Sequence, residues 1–338
     1  MFWKNPYKKL TTLSGPQNAV LSVSFSIDGT FVSAAGQAVP TPHLPYAPFE
    51  RKHVCSSSAW FFFEESEKHV VIFGNMVGQV NVWYWDGLLH MFRMSESQTV
   101  YRNHPEHVMS MDVLQGRVPT NKDGFFVTST NDNSVGVWKL NSKLVLSNVF
   151  KVGLPPTFVP RTVQFCQASC TVFAFSKAGG SFLQINGSTG EPAWIRKEGP
   201  DCMDSVDLDE GRAEPIITFQ NKGCNVGDVK QVAFAEDGST LVVGTDSASA
   251  EVFSLDSGKR VQSLSYPGGS FSSAVDAPAT FADLPATVPV TERELVTYID
   301  FDTVQVTFTF KLESYNPPGT SSVAHSEEDE ELTTIALH

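Results

Sequence analysis

Residues 19–36 and 228–245 are two versions of one pattern, AVLSVSFSIDGTFVSAAG and DVKQVAFAEDGSTLVVGT, and no other feature of the chain restricts its fold as much. In each, apolar residues alternate with polar ones, an Asp-Gly pair follows (Asp28-Gly29, Asp237-Gly238), and a second apolar run begins. Period-two alternation sends side chains to opposite faces of an extended strand, and Asp-Gly supplies the turn of a hairpin. The unit is therefore strand, tight turn, strand. A lone hairpin is marginal in water, so a chain that repeats one must stack its copies into a larger body.

A complementary unit recurs between and after them. Phe126-Val127-Thr128-Ser129-Thr130 leads through Asn131-Asp132-Asn133-Ser134 into Val135-Gly136-Val137-Trp138. Val70-Val71-Ile72-Phe73-Gly74 leads through Gly78-Gln79 into Val80-Asn81-Val82-Trp83, and Leu241-Val242-Val243-Gly244-Thr245 leads into Glu251-Val252-Phe253. Each is a strand, a polar turn and a strand ending in an aromatic residue. Amphipathic helical stretches are almost absent. The 25 phenylalanines suit pleated, half-buried surfaces, and the 24 glycines and 20 prolines imply many turns.

Together these stretches resemble the WD40-repeat family, whose repeat reads roughly V-x-x-V-x-F-S-P-D-G, then L-A-S-G-S-x-D-G-T-V-x-I-W-D, then a T-G turn. Residues 229–258 follow that pattern in register without a gap, residues 20–36 follow its first half, and residues 124–140 its second. The resemblance implies an all-β, WD40-like β-propeller over residues 8–312, built of six to seven four-stranded blades. Residues 8–13 would close the ring as the outer strand of the last blade. Trp83, Trp138 and Phe253 are expected half-buried on third strands, Asp132 in a hairpin turn bonded to nearby amides, and Gly29 and Gly238 at the tight turns. Residues 313–338, with the acidic run 327–331, are expected to form a solvated tail without structure of its own.

The sequence departs from the family pattern in several places. Gly15-Pro16 stands where the repeat has Gly-His, Val77 and Ser247 where it has the turn aspartate, and Phe253 where it has tryptophan. The family's buried network of histidine, hydroxyl, tryptophan and aspartate is thus missing from most blades, which implies lower stability on the same fold. Apolar centres, taken as second strands, lie at Phe25, Phe62, Val113, Phe165, Leu208 and Phe234. The step from Leu208 to Phe234 is too short for four strands, so at least one blade is expected to be incomplete.

Two loops stand out. Residues 37–58 carry Pro42, Pro45 and Pro48 in two overlapping P-x-x-P motifs, which marks either a long inter-blade loop, the favoured reading, or a polyproline II segment for a partner's aromatic groove. Residues 265–290, rich in Ala, Ser, Pro and Gly, read as a flexible loop.

The net charge of −13 disfavours nucleic acid and anionic lipid as partners. No segment reaches roughly 18 uncharged apolar residues, and residues 1–10 lack the apolar core of a secretory signal. Five cysteines at irregular spacing read as reduced thiols of a cytoplasmic or nuclear protein rather than as a zinc site or disulfide framework.

No catalytic constellation emerges. There is no G-x-S-x-G elbow and no phosphate loop. His104, Glu106 and His107 lie just ahead of a strand and read as structural or exposed, and Asp207 with Asp209 as outer-strand surface rather than a paired-carboxylate site. No cofactor or metal is expected. The leading expectation is a monomeric, non-catalytic scaffold that binds other proteins. The alternatives are a propeller enzyme with an unrecognised site and a degenerate or truncated propeller without stable function.

Overall fold

The computed structural model describes residues 8–14, 20–36, 54–167, 169–177, 181–197, 231–235, 239–245, 249–265, 293–300, 305–312 and 333–336. The apolar centre at Leu208, the paired aspartates Asp207 and Asp209, the proline loop with Pro42, Pro45 and Pro48, Gly238, and the loop from 266 to 290 lie outside the described residues. Every regular element described is a strand, and these form six small sheets.

Near the start of the chain are β1 (Lys8–Ser14), β2 (Val20–Phe25) and β3 (Phe31–Gly36). A second group comprises β4 (Cys55–Phe63), β5 (Lys68–Asn75), β6 (Gln79–Asp86) and β7 (Met91–Thr99). A third comprises β8 (Val108–Val113), the two-residue β9 (Arg117–Val118), β10 (Gly124–Thr130), β11 (Ser134–Leu140) and β12 (Leu146–Gly153). Next come β13 (Pro160–Cys166), β14 (Thr171–Ser176), β15 (Ser181–Asn186) and β16 (Pro192–Lys197), then β17 (Val232–Ala235), β18 (Thr240–Gly244), β19 (Ser249–Ser254) and β20 (Lys259–Ser265). The last are β21 (Arg293–Asp300), β22 (Gln305–Leu312) and β23 (Thr333–Ala336).

Four sheets are antiparallel meanders in chain order: β4-β5-β6-β7 (with β9 added parallel beside β4), β8-β10-β11-β12, β13-β14-β15-β16 and β17-β18-β19-β20. Two have three strands, β2-β3-β23 and β21-β22-β1. Among the described residues the sheets are therefore unequal, while the short step from Leu208 to Phe234 lies outside them. Within the last sheet β1 pairs antiparallel with β22, so residues 8–14 hold the outer place expected of a closing strand. Thr333–Ala336, inside the acidic tail, pairs parallel with β3. The apolar centres Phe25, Phe62, Val113, Phe165 and Phe234 lie on the first strands of five of the sheets and not on second strands; β1, β7 and β12, which precede β2, β8 and β13 in sequence, are outer strands of the neighbouring sheets.

First strands stand side by side: β2 packs on β4, β4 on β8 and β8 on β13. An inner strand has one edge that its own meander does not pair, covered on β4 only in part by the two-residue β9, and a buried amide or carbonyl left unpaired is costly. Short polar side chains fill the gap. The Ser24 and Ser58 hydroxyls lie 2.7 Å apart across β2 and β4, and the Ser56 hydroxyl donates to the carbonyl of Val108 at 2.6 Å. From β13, the amide of Val163 donates to Ser110 Oγ and that of Phe165 to Asp112 Oδ2, at 3.3 and 2.7 Å. Gln231, just ahead of β17, accepts from the amide of Val23 at 3.3 Å and donates to Ser22 Oγ at 3.2 Å. That pair joins the β17 sheet to β2 directly. The sheets come so near each other that a Cβ added at Gly74 would lie 2.7 Å from Val108 Cγ1.

Apolar cores lie between sheets, which explains why the second strands read as unbroken apolar runs. On β5, Val70 and Ile72 face the β8 sheet with Phe61, Phe126 and Trp138. Val71 and Phe73 face the β2 sheet with Phe31, Trp60 and Phe92. Val127 and Val137 turn the other way, onto Phe165 and Leu183 of the β13 sheet.

Trp138 is more deeply placed than half-buried: it is 1% exposed, because Leu144 and Leu146 of its own blade and Val100 of the connection entering it complete its cover. Its ring stacks on Phe126 at 6.5 Å, and its Nε1 donates to Thr128 Oγ1 at 3.0 Å. Trp138→Ala should lower unfolding stability by about 3–5 kcal/mol. Guanidinium denaturation followed by circular dichroism measures this, and a midpoint matching that of the unsubstituted chain would contradict the packing described.

Candidate interaction surface

In a meander, turns alternate between the two ends of a sheet. The turns after first and third strands crowd one end of the ring. Those after second strands, with the connections between sheets, crowd the other.

The second end is rigidified by polar turn residues. Asp132 sits in the β10–β11 turn, 8% exposed. Its Oδ1 accepts from the hydroxyls of Thr130 and Ser134, and its Oδ2 accepts from the amides of Arg102 and Asn103 at 2.8 and 2.9 Å. One carboxylate thus fastens its own hairpin and the incoming connection from the previous sheet. His104, the next residue along that connection, is exposed. This blade's hydrogen bonds thus gather on Asp132, with its hydroxyls and amides, and on Trp138 with Thr128, and Lys151 Nζ, 5.2 Å over the Trp138 ring, feels the charge of Asp132. Desolvation pushes the Asp132 carboxyl up, but the hydrogen bonds from Ser134, Thr130, Asn103 and Arg102 outweigh it and hold the group below its ordinary value. In the β5–β6 turn Asn75 does the corresponding work, its Oδ1 accepting from the amides of Val77 and Gln79 at 3.1 and 2.9 Å.

The remaining repeat positions are dispersed. Trp83 is half-buried on β6 and Phe253 half-buried on β19, opposite Leu241. Gly29 takes φ +73° in the β2–β3 turn. None of these converges with another on a common pocket; they are separate supports of separate sheets.

The first end holds what the sequence reading missed. The β6–β7 turn carries Leu88 at 93% exposure and Leu89 at 56%, followed on β7 by Met91 at 51% and Met94 at 57%. Its geometry is fixed from below. Asp86 Oδ1 accepts from the amides of Leu88 and Leu89 at 3.1 and 3.2 Å, and its Oδ2 meets Arg93 Nη1 at 3.2 Å. Desolvation raises the Asp86 carboxyl, but these bonds, from Leu89, Arg93 and Leu88, bring it below its ordinary value. Behind the turn, half-buried Trp85 rests on Phe31 and Phe92, with ring centroids 5.0 and 5.2 Å away. The patch extends toward the next sheet, since Glu96 Oε2 accepts from the amide of Leu146 at 2.7 Å, beside Val145 at 55% exposure. Two leucines inside a turn that normally takes polar residues were the available signal.

A seam between the first two sheets places His69 Nε2 3.5 Å from Asp28 Oδ2. Burial lowers the His69 pKa, Arg117 lowers it further, and Asp28 only partly opposes them.

Two of the acid-sensitive groups, His69 and Asp132, set the sign. His69 has a folded pKa below its unfolded value, so its contribution is complete above about pH 6.5 and is lost below that. Asp132 is likewise depressed, so its contribution is present above about pH 4 and is lost as pH falls through its folded value. Melting temperature should fall in two stages on acidification, and Asp132→Ala should shrink the lower stage, which Asp28 and Asp86 share, and cost roughly 1.5–3 kcal/mol at pH 7. A pH series of thermal melts on both proteins tests this; an unchanged lower stage in the variant would contradict the role given to Asp132.

The family described as WD domain, G-beta repeat, matches residues 7–37. A comparison with the curated proteins finds no match. Among solved structures, the crystal structure of Saccharomyces cerevisiae Sqt1 superposes with a TM-score of 0.56 over 90% of this chain and 99% of that one, at 9% sequence identity. At that identity the likeness concerns the fold alone.

Proposed function

We propose that this chain, a WD40-like β-propeller in fold whose residues 7–37 match the WD domain, G-beta repeat, family, acts as a non-catalytic scaffold that binds other proteins through the end of the ring bearing the β6–β7 turn. The supporting observation is the apolar turn itself. A protein that folds alone gains nothing by holding Leu88 and Leu89 in water, and contiguous exposed apolar surface marks an interaction site. Asp86 and Arg93 pre-form the turn, so little conformational freedom is lost when a partner covers it. The methionines on β7 add adaptable apolar contact. Asp86 and Arg93 satisfy one another, which leaves the tip nearly neutral and inexpensive to desolvate.

The same proposal places the protein inside the cell, in cytoplasm or nucleus. Cys55, Cys166 and Cys170 carry free thiols, and burial pushes that of Cys55 up to about 11, where it stays protonated and unreactive.

Affinity capture of the tagged full chain from its own source, with mass spectrometry, should recover a near-stoichiometric protein partner. Leu88→Asp with Leu89→Asp should abolish recovery while moving stability by no more than about 0.5 kcal/mol, since both side chains point into water. Undiminished recovery would move the binding site elsewhere, and an empty capture from well-folded protein would count against the scaffold role.

A further inference from the structure

Among the described residues, the outer edge of β3 is occupied in a way that of no other second strand is. In the sheets that begin with β4, β8, β13 and β17, the second strand turns back into an antiparallel third strand. Beside β3 the neighbour is β23, which comes from about 300 residues further along the chain and runs parallel. Parallel neighbours cannot be joined by a tight turn. The segment is therefore an addition in the place where the repeat has its own third strand. Its register sets Thr333 beside Phe31, Thr334 beside Val32, Ile335 beside Ser33 and Ala336 beside Ala34.

The acceptor side has supports that do not involve β23. With β23 in place Phe31, Val32 and Ser33 are 5%, 4% and 0% exposed. Ser33 Oγ lies 2.8 Å from Ser24 Oγ and 3.2 Å from Ser58 Oγ, and accepts from Trp60 Nε1 at 3.1 Å. Phe31 stacks on Trp60 with centroids 6.2 Å apart. The edge is rigid, so adding a strand costs little ordering there. The donor side is weak by comparison: four residues, paired in the less stable parallel sense. Tethering in the same chain gives it an effective concentration on the order of millimolar, which offsets its shortness. A contact of that kind is held by proximity and is open to competition.

We propose that the outer edge of β3 is a strand-acceptor site for extended, β-branched peptide segments, which residues 333–336 occupy in cis and thereby gate. The cis contact stands on its own, whereas its use by a partner protein, through strand addition, rests on the scaffold function proposed above.

The test uses the full chain. Hydrogen exchange on the unsubstituted protein should show amides of 333–336 exchanging at least tenfold slower than in a free peptide of residues 325–338. Thr334→Pro with Ile335→Pro removes the donors from β23, and should speed exchange in 31–36 at least tenfold with the melting temperature unchanged. A fluorescent peptide of residues 325–338 should then bind this variant at least tenfold more tightly than the unsubstituted chain by anisotropy. The same peptide carrying both prolines should bind neither. Unprotected amides at 333–336 in the unsubstituted chain, or equal peptide binding to both proteins, would overturn the proposal. A protected segment with the expected peptide binding, together with an empty affinity capture, would uphold the cis contact and count against the scaffold role instead.

Discussion

A first strand in this ring has backbone groups along one edge that its own meander cannot reach, and everything else is arranged around their satisfaction. Serines 24, 56, 58 and 110, Asp112 and Gln231 stand along those edges and bridge to the neighbouring sheet. Each is short or amide-bearing, so sheets must approach to side-chain reach for the bonds to form. Once they do, the faces behind the edges are close enough to interdigitate, and Val70, Ile72, Phe126 and Trp138 pack as one core although they belong to two sheets. The apolar cores and the inner polar circle are thus mutually conditional. An unsatisfied buried amide costs about 1–3 kcal/mol, a large part of the net stability of a domain.

The same economy explains how the ring manages without the family's four-residue network in most blades. In the β8 sheet the turn aspartate reaches the amides of Arg102 and Asn103 instead of a histidine ring. In the β5–β6 turn an asparagine closes its own hairpin with no charge at all. The turn must have its amides capped; which acceptor does so is open. Losing the shared network therefore costs linkage between turn and core, and the hydrophobic seams carry the blades.

Local features were legible in the sequence and long-range ones were not. Strand–turn–strand units announce themselves through alternation and Asp-Gly, and Asp28-Gly29 forms the expected turn, with Ser26 and Thr30 hydroxyls on the Asp28 carboxylate. The alternating stretch from 295 to 312 yields β21 and β22. The rank of a strand within its sheet was misread, because it depends on which neighbour the chain has just left. Trp138 was placed on the right strand, but its complete burial depends on Val100 and Leu146 from outside its hairpin. Asp132's hold on amides about 30 residues away is likewise invisible to a local pattern. The exposed leucines were legible in principle, since apolar residues had displaced the usual turn chemistry at 88 and 89.

The bond between Gln231 and the backbone at Val23 spans 208 residues. It makes the order of events during synthesis matter. Sheets led by β4, β8 and β13 are assembled from neighbours in sequence and can form as each leaves the ribosome. The inner edge of β2, by contrast, has to wait until Gln231 emerges. At typical elongation rates of roughly 5–20 residues per second, that leaves a strand edge uncovered for about ten seconds or more. Non-local closure of this kind slows folding and exposes pairing surfaces while it is pending. The yield of folded protein is accordingly set less by the strength of any one sheet than by how long an unfinished ring can avoid pairing with another chain.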